Sequence, residues 1–281
     1  MPTLDNIDLS DGYPAYVRWW RPVEPRGAVL YFHGIQSHGG WYEQSGSLLA
    51  EQGLTVLMPD RRGSGLNTEH RGHAESAGQC VADAADALDA LLNETGRADA
   101  HVVGVSWGGK LAVALADAAR EKVRSLTLVA PGIHPKLDLS TADKFRVAVA
   151  MINDRSRMFE IPLNAARFFT ANPKRIKYVE ADDLKLLRLT ASFLLASRRL
   201  DRTVRRFGGS TWQGPIHLFL AGRDKIIDND KTREWLRGLP LADRRITEYP
   251  EAEHTIEFEP DPSGFFNDLA SWIVAHNGYS P

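Results

Sequence analysis

The chain alternates short apolar runs with longer segments in which apolar residues recur at helical spacing. Five apolar runs are bounded by Gly, Pro, Asp or Ser, at residues 28–32, 54–58, 101–105, 125–129 and 216–220. Such runs are typical of strands buried on both faces of a parallel sheet. Helical patterns lie between them, at residues 41–52, 82–92, 109–120 and 231–236. The alternation predicts an α/β fold with a doubly wound, mostly parallel sheet, whose sites lie at the carboxyl ends of the strands.

Two parts of the chain depart from this alternation. Residues 3–9 and 13–21, joined at Asp11-Gly12, predict a hairpin added at one edge of the sheet. From residue 133 to residue 207 the strand signals stop and the pattern becomes helical, which predicts a helical cap inserted over the site. The predicted organisation is therefore a core of residues 1–132 and 208–281, with the cap at residues 133–207.

The predicted cap is unusually basic for this chain. It carries 16 Lys and Arg against 8 Asp and Glu, whereas the whole chain has a formal net charge of -2. A basic cap is a candidate to steer anionic substrates or to make peripheral contact with an acidic membrane surface. The alternative is a set of solvated helix faces whose apolar stripes pack inward.

Composition excludes several classes of protein. The net charge of -2 gives no reason to expect a nucleic-acid partner, and the chain has no apolar run of about 18 residues that could span a bilayer. The first nine residues lack the basic and apolar regions of a secretory signal, so we expect a cytoplasmic protein. Cys80 is the single cysteine, which excludes an internal disulfide framework. Nothing in the sequence indicates the oligomeric state.

The segment Gly104-Val105-Ser106-Trp107-Gly108 lies between a predicted strand and a predicted helix. In that context a G-x-S-x-G pattern predicts a nucleophile elbow, which presents the serine Oγ above the carboxyl end of the sheet. Glycine is expected at both positions, because side chains there would collide with the neighbouring strand and helix. Ser106 is therefore the candidate nucleophile.

A serine nucleophile needs a histidine base, which an acid must orient. His254 follows the last predicted strand, residues 245–249, and is the candidate base. His217 lies inside a predicted strand, where a packed core residue is expected. His70 and His73 form a possible metal pair, but no additional Cys or carboxylate spacing supports a metal site.

Two aspartates are candidates for the acid. Asp224 comes directly after the strand predicted at residues 216–220, a position from which its carboxylate can reach His254. Asp138 follows the preceding strand and is the alternative.

An acyl-transfer intermediate needs two preorganised N–H donors for its oxyanion. The backbone amide of Trp107, at the elbow, is the first candidate. Ile35 supplies the second, because it lies in the Gly-rich loop that follows the strand at residues 28–32. Gly-rich loops also bind phosphate, but this one has neither the G-x-G-x-x-G order nor a Walker pattern.

Several blocks of the sequence resemble one known family. The chain resembles α/β-hydrolases of the monoacylglycerol lipase and lysophospholipase-like group, which is also called the serine aminopeptidase S33 or hydrolase-4 type. The matching blocks are His33-Gly34 with His38 and Tyr42, Asp60 to Gly65 with Arg71-Gly72-His73, Phe169 to Pro173, Gly222 to Ile226, and Glu253-His254 with Glu259. The resemblance implies a Ser106, Asp224 and His254 triad, with Ile35 and Trp107 forming the oxyanion hole.

Two residues depart from the pattern of that group. Trp107 stands where a residue of moderate size is usual, which reshapes the floor of the acyl pocket. Ser64 stands where the group often has His. The S-W-G order is also similar to that of proline iminopeptidases, but their H-G-G-P-G loop is absent.

The predicted function is hydrolysis of carboxylic esters with an apolar acyl part, through an acyl-enzyme on Ser106. The substrate is expected to be a small ester or a lipid-like molecule, and this chemistry requires no cofactor or metal ion. Amide hydrolysis, or acyl transfer to an acceptor other than water, uses the same triad and is the first alternative. The second is a ligand-binding protein that keeps the fold without turnover.

Overall fold

The computed structural model describes residues 1–208 and 212–278. Its centre is an eight-stranded sheet in the order β1-β2-β4-β3-β5-β6-β9-β10. These strands are β1 (Thr3–Asp8), β2 (Pro14–Trp20), β3 (Gly27–Phe32), β4 (Leu54–Pro59), β5 (Ala100–Val105), β6 (Val123–Val129), β9 (Ile216–Ala221) and β10 (Arg244–Tyr249). The first two strands pair antiparallel at one edge and the other six run parallel, so the predicted mostly parallel sheet with an edge hairpin is confirmed.

Burial along the strands explains their sequences. Every residue of β3, β4, β5 and β9 is buried, as a continuous apolar run requires, because helices cover both faces of the sheet. β1 and β10 form the edges of the sheet and are mostly exposed or half-buried. Their sequences are correspondingly more polar.

Helices flank the sheet and also fill the region between β6 and β9. They are α1 (Glu43–Glu51), α2 (Ala77–Thr95), α3 (Trp107–Ala118), α4 (Thr141–Asn153), α5 (Pro173–Ala181), α6 (Ala191–Arg206), α7 (Asn229–Gly238) and α8 (Ser263–Ala275). α2 begins five residues before the predicted helix, because the Ser76 side chain caps it by accepting a hydrogen bond from Gln79 N at 3.1 Å. α8 was not predicted, although Phe265, Leu269 and Ile273 form a buried stripe at four-residue spacing.

The region between β6 and β9 is not wholly helical. Besides α4, α5 and α6 it contains the short antiparallel strands β7 (Met158–Glu160) and β8 (Arg188–Thr190), which the sequence pattern did not predict. α6 packs on α2 and α3 of the sheet-flanking layer. Backbone hydrogen bonds also join the region to core loops, from Leu186 N to Gln36 O and from Thr255 N to Phe169 O, each 2.8 Å long. These bonds hold the region over the carboxyl ends of the strands.

A buried carboxyl group connects α1 to the loop after β10. Glu257 is 3% exposed. Its Oε2 accepts a hydrogen bond from Ser45 Oγ at 2.6 Å, and its Oε1 accepts one from Ser45 N at 3.1 Å. Burial disfavours the ionised form and raises the pKa of Glu257 to about 7, against the opposing effect of the Ser45 hydrogen bonds.

Glu257 should make the stability of the fold depend on pH. Because its pKa is higher in the folded state than in the unfolded chain, its contribution is fully present below the unfolded pKa of about 4.5 and is lost as the pH rises to about 7. The loss should amount to a few kcal/mol at most, at about 1.4 kcal/mol per pKa unit. Urea unfolding at about pH 5 and about pH 8 measures it. Glu257→Gln should flatten this pH dependence, whereas Glu51→Gln, at an exposed position on α1, should keep the wild-type slope. Equal slopes for wild type and Glu257→Gln would contradict the assignment.

Candidate active site

Ser106 occupies a strained backbone conformation between β5 and α3. Its φ of 51° and ψ of -121° lie in a region that non-glycine residues rarely adopt. Three backbone hydrogen bonds hold it there: Ser106 N donates to Val129 O at 2.9 Å, and Ser106 O accepts from Gly109 N at 2.9 Å and from Gly132 N at 2.7 Å. The neighbouring strand and the first turn of α3 therefore fix the turn on both sides of the serine.

The two glycines of the elbow are required by close packing. A Cβ atom at Gly104 would lie 2.6 Å from Gly108 O, and one at Gly108 would lie 2.5 Å from Phe32 O. Real side chains essentially never approach backbone so closely, and these neighbours cannot rotate away. The close packing of β5, β3 and α3 thus leaves room only for glycine on either side of Ser106.

His254 and Asp224 form a buried pair. His254 Nδ1 lies 2.7 Å from Asp224 Oδ2, and the two residues are 2% and 4% exposed. The other carboxylate oxygen, Oδ1, accepts hydrogen bonds from Ile226 N at 2.7 Å and Ile227 N at 2.9 Å. Burial pushes the pKa of Asp224 upward, but the charge and hydrogen bond of His254, together with the two amides, outweigh it and hold the pKa below its ordinary value.

The ionised Asp224 selects one histidine tautomer. A carboxylate only accepts hydrogen bonds, so Nδ1 of His254 carries a proton and Nε2 is the nitrogen with a free lone pair when the ring is neutral. Nε2 is buried and has no hydrogen-bond partner in the described part of the chain. It is therefore the nitrogen that can take a proton from a nucleophile.

The structure puts the other candidates elsewhere. Asp138 is part of a half-exposed charge cluster, 2.9 Å from Arg198 and 2.8 Å from Lys144, whereas the carboxylate partner of His254 Nδ1 is Asp224. His217 is fully buried in β9, where its Nε2 lies 2.9 Å from Thr247 Oγ1, as expected for a packed core histidine. The rings of His70 and His73 are 6.2 Å apart, and no cluster of His, Cys, Asp and Glu suited to a metal ion occurs among the described residues.

The loop after β3 is ordered by a neutral histidine. His33 Nε2 accepts a hydrogen bond from Arg61 N at 2.9 Å, so Nδ1 carries the proton and donates to Gly34 O at 2.8 Å. Burial, reinforced by the charge of Arg61, lowers the pKa of His33 to about 3, which keeps the ring neutral. Ser64, the residue found in place of a family histidine, supplies a hydroxyl 3.3 Å from the same Nε2.

Arg61 is a positioning residue that the sequence interpretation missed. Its Nη1 donates to Gly34 O at 3.3 Å and its Nη2 donates to Ile35 O at 3.0 Å. In a trans peptide the C=O and N–H point in opposite directions, so fixing Gly34 O also fixes the direction of the Ile35 N–H. Donors to Gly34 O additionally polarise that peptide group. Only its position gave a signal, because Arg61 is the second residue after β4, at the carboxyl edge beside β3, whereas its contacts with Gly34 and Ile35 arise on folding.

Trp107 brings both a backbone amide and a large side chain next to Ser106. As the first residue of α3 it has an amide without an intrahelical acceptor, and it points with the helix N-terminus toward the site. The indole ring packs on Phe193 at 5.3 Å between centroids, lies 4.7 Å from the Arg61 guanidinium carbon, and donates from Nε1 to Ser197 Oγ at 3.0 Å. The large side chain is thus a fixed wall of the site.

Ser106 opens into a cavity of about 410 Å³ beneath α4 and α6. Ile35 and Trp107 line it beside the serine, and most of the remaining wall is aliphatic. The aliphatic residues are Leu137, Leu139, Val147, Met151, Ile161, Leu163, Leu189, Leu194, Leu195, Ile226 and Ile227. The polar exceptions are Lys110, Ser197 and Asp201 together with Asp138, Lys144 and Arg198. A predominantly apolar cavity with a few convergent polar groups is the usual form of a small-molecule site.

Comparison with curated proteins identifies relatives along most of the chain. The protein is 24% identical over 264 residues to a monoacylglycerol lipase of Mycolicibacterium smegmatis, covering 93% of this chain and 92% of that one. It is 22% identical to the phospholipase YtpA of Bacillus subtilis, covering 88% of this chain and 95% of the relative.

Solved structures share the fold at identities of 18% and 22%. A monoglyceride lipase from Saccharomyces cerevisiae, solved as a soluble variant with a substrate analogue, matches with a TM-score of 0.85 at 18% identity, over 98% of this chain and 96% of that one. A monoacylglycerol lipase from Paleococcus ferrophilus matches with a TM-score of 0.81 at 22% identity, over 93% of this chain and 99% of that one. These matches confirm the α/β-hydrolase fold.

The family model for serine aminopeptidase S33, also named hydrolase 4, matches residues 23–261. The match spans the strands from β3 to β10 and the region between β6 and β9, and it confirms the resemblance inferred from the sequence blocks. The chain therefore belongs to the serine aminopeptidase S33 (hydrolase-4) family of α/β-hydrolases.

Proposed function

We propose that this serine hydrolase cleaves carboxylic esters with an apolar acyl part, through an acyl-enzyme on Ser106. The observation that carries the proposal is the strained Ser106 at the wall of an apolar cavity, accompanied by a buried Asp224–His254 pair at the carboxyl ends of the sheet strands. The monoacylglycerol lipase and phospholipase among the relatives support the same substrate class.

The proposed reaction has two acyl-transfer steps. His254 Nε2 takes the Ser106 proton as Oγ attacks the ester carbonyl, and the Ile35 and Trp107 amides stabilise the resulting oxyanion. His254 then gives the proton to the leaving alcohol as the C–O bond breaks. A water molecule, deprotonated by the same nitrogen, next attacks the acyl-enzyme. The bond between Ser106 Oγ and the acyl carbon breaks, the proton passes from His254 Nε2 to Oγ, and the acid is released. Asp224 holds the ring and stabilises the imidazolium throughout.

Replacement of the nucleophile tests the proposal. Ser106→Ala should lower kcat about a million-fold, the loss seen when the nucleophile of such a triad is removed. The measurement is hydrolysis of p-nitrophenyl esters of graded chain length by the purified variant, beside aminoacyl anilides that report amide cleavage. Thermal unfolding should show a folded variant. More than a few per cent of wild-type turnover would identify another nucleophile, and a wild-type preference for the anilides would replace ester by amide hydrolysis.

Matched aspartate variants test which acid orients His254. Asp224→Asn should lower kcat by about four orders of magnitude, because an amide at this position favours the wrong histidine tautomer. Asp138→Asn keeps the size of the side chain and should be close to neutral, since Asp138 pairs with Arg198 and Lys144. Initial rates on one ester measure both. The reverse ranking would assign the role of the acid to Asp138.

We also propose that the region between β6 and β9, the predicted cap, meets a lipid surface through α4. Three apolar residues lie on its outward side at helical spacing: Phe145 is 71%, Val149 37% and Ile152 86% exposed. Val147 and Met151 on the same helix line the cavity. Arg146, whose side chain is 62% exposed, lies next to Phe145 and suits an acidic headgroup layer. The described residues contain no helix that could cross a bilayer, so the proposed contact is peripheral.

Removal of the exposed apolar residues tests this contact. Phe145→Ser with Ile152→Ser should reduce hydrolysis of a long-chain monoester in anionic vesicles at least several-fold, because apolar side chains provide the interfacial binding energy. Hydrolysis of a dissolved short-chain p-nitrophenyl ester should stay unchanged. Val274→Ser removes a 47% exposed apolar residue from α8 and is the control. An equal effect on both substrates would argue against a lipid contact. The cytoplasmic location stays a prediction from the sequence.

A further inference from the structure

One wall of the active-site cavity carries an ion pair amid apolar residues. Lys110, on α3, and Asp201, on α6, approach to 2.6 Å between Nζ and Oδ1, with side chains only 8% and 12% exposed. Lys110 Nζ also donates to Ser197 Oγ at 3.3 Å. All three residues line the same cavity as Ser106.

The Lys110–Asp201 pair is expected to contribute little to the free energy of folding. Removing two charges from water costs about as much as their attraction returns, and apolar residues of similar volume are often equally stable in such positions. Hydrogen bonding around Asp201 is also incomplete, because the 2.6 Å contact between its Oδ1 and Lys110 Nζ is not aligned as a hydrogen bond, and no other described residue donates to that oxygen. Both charges remain able to bind a polar group of a ligand.

The chemistry of the pair selects the kind of group that fits. A carboxylate would be repelled by Asp201 and an amine by Lys110, while a carbonyl oxygen could only accept from the ammonium. A hydroxyl group can accept from Lys110 and donate to Asp201 at the same time, and it brings no charge into the cavity.

We propose that the preferred acyl chain carries a hydroxyl group, which the Lys110–Asp201 pair binds. The inference rests on the proposed esterase function and specifies its substrate class as hydroxyacyl esters. Lys110 lies four residues after Ser106, on α3, and both residues line the same cavity, so the hydroxyl belongs on the acyl chain inside that cavity. The aliphatic remainder of the cavity holds the hydrocarbon.

Rates on matched esters test the inference. The substrates are p-nitrophenyl octanoate and the corresponding hydroxyoctanoates, with the hydroxyl at successive carbons. For at least one position the wild-type kcat/KM should exceed that of octanoate by about ten- to a hundred-fold, the effect of one hydrogen bond to a charged group. The variant Lys110→Met with Asp201→Leu should lose this preference, so that its kcat/KM on the hydroxyoctanoates falls to the value that it shows on plain octanoate.

A matched control separates recognition from structural support. Lys122→Met with Asp89→Leu removes an exposed pair with the same 2.6 Å separation and should leave the substrate preference unchanged. If the Lys110–Asp201 pair only joins α3 to α6, its double variant should lower the rates on plain and hydroxylated esters by the same factor, which would overturn the inference.

A binding measurement keeps the inference separate from the esterase proposal. Calorimetry on Ser106→Ala compares the affinities of the free hydroxyoctanoic acids with that of octanoic acid, without any turnover. Tighter binding of a hydroxy acid, lost in the Lys110 and Asp201 background, supports the inference even if no ester is hydrolysed. Equal affinities across the series would refute it whatever the outcome of the esterase assays.

Discussion

The backbone strain at Ser106 is the constraint on which the rest of the site depends. A non-glycine residue at a φ of 51° costs free energy, and favourable contacts around it must offset that cost. Hydrogen bonds to Val129, Gly109 and Gly132 supply part of that support from β6, from α3 and from the loop after β6. Because the sheet fixes these partners, the serine side chain and the first amide of α3 have a constant relative position. That fixed geometry is what preorganised stabilisation of an oxyanion requires.

The polar residues around Ser106 have protonation states that neighbouring groups set. Asp224 stays ionised because two backbone amides and His254 outweigh its burial, and His33 stays neutral because it is buried beside Arg61. The protonation states of Asp224 and His33 are therefore fixed by their neighbours. The Lys110–Asp201 pair lies in the largely apolar cavity. A buried charge needs a polar partner, which the hydrocarbon part of a substrate cannot provide.

Much of the fold followed from the spacing of apolar residues. Buried parallel strands and the G-x-S-x-G turn have strong local signals, so β3, β4, β5, β6 and β9 were predicted to within two residues. β7 and β8 have three residues each, and nearly thirty residues of sequence separate them. No local pattern therefore indicates their pairing. The roles of Arg61 and Lys110 were not predicted, for a similar reason. Their importance lies in contacts with Gly34, Ile35 and Asp201 that only the folded chain brings together.

Covalent labelling tests the central claim, that the fold makes Ser106 an activated nucleophile, most directly. The protein is treated with a fluorophosphonate probe, and the adduct is located by mass spectrometry of proteolytic peptides. The account predicts one phosphonate per chain, on Ser106, and a strong loss of labelling rate in His254→Gln, which lacks the base. An adduct on another residue, or labelling of Ser106 that is independent of His254, would contradict it.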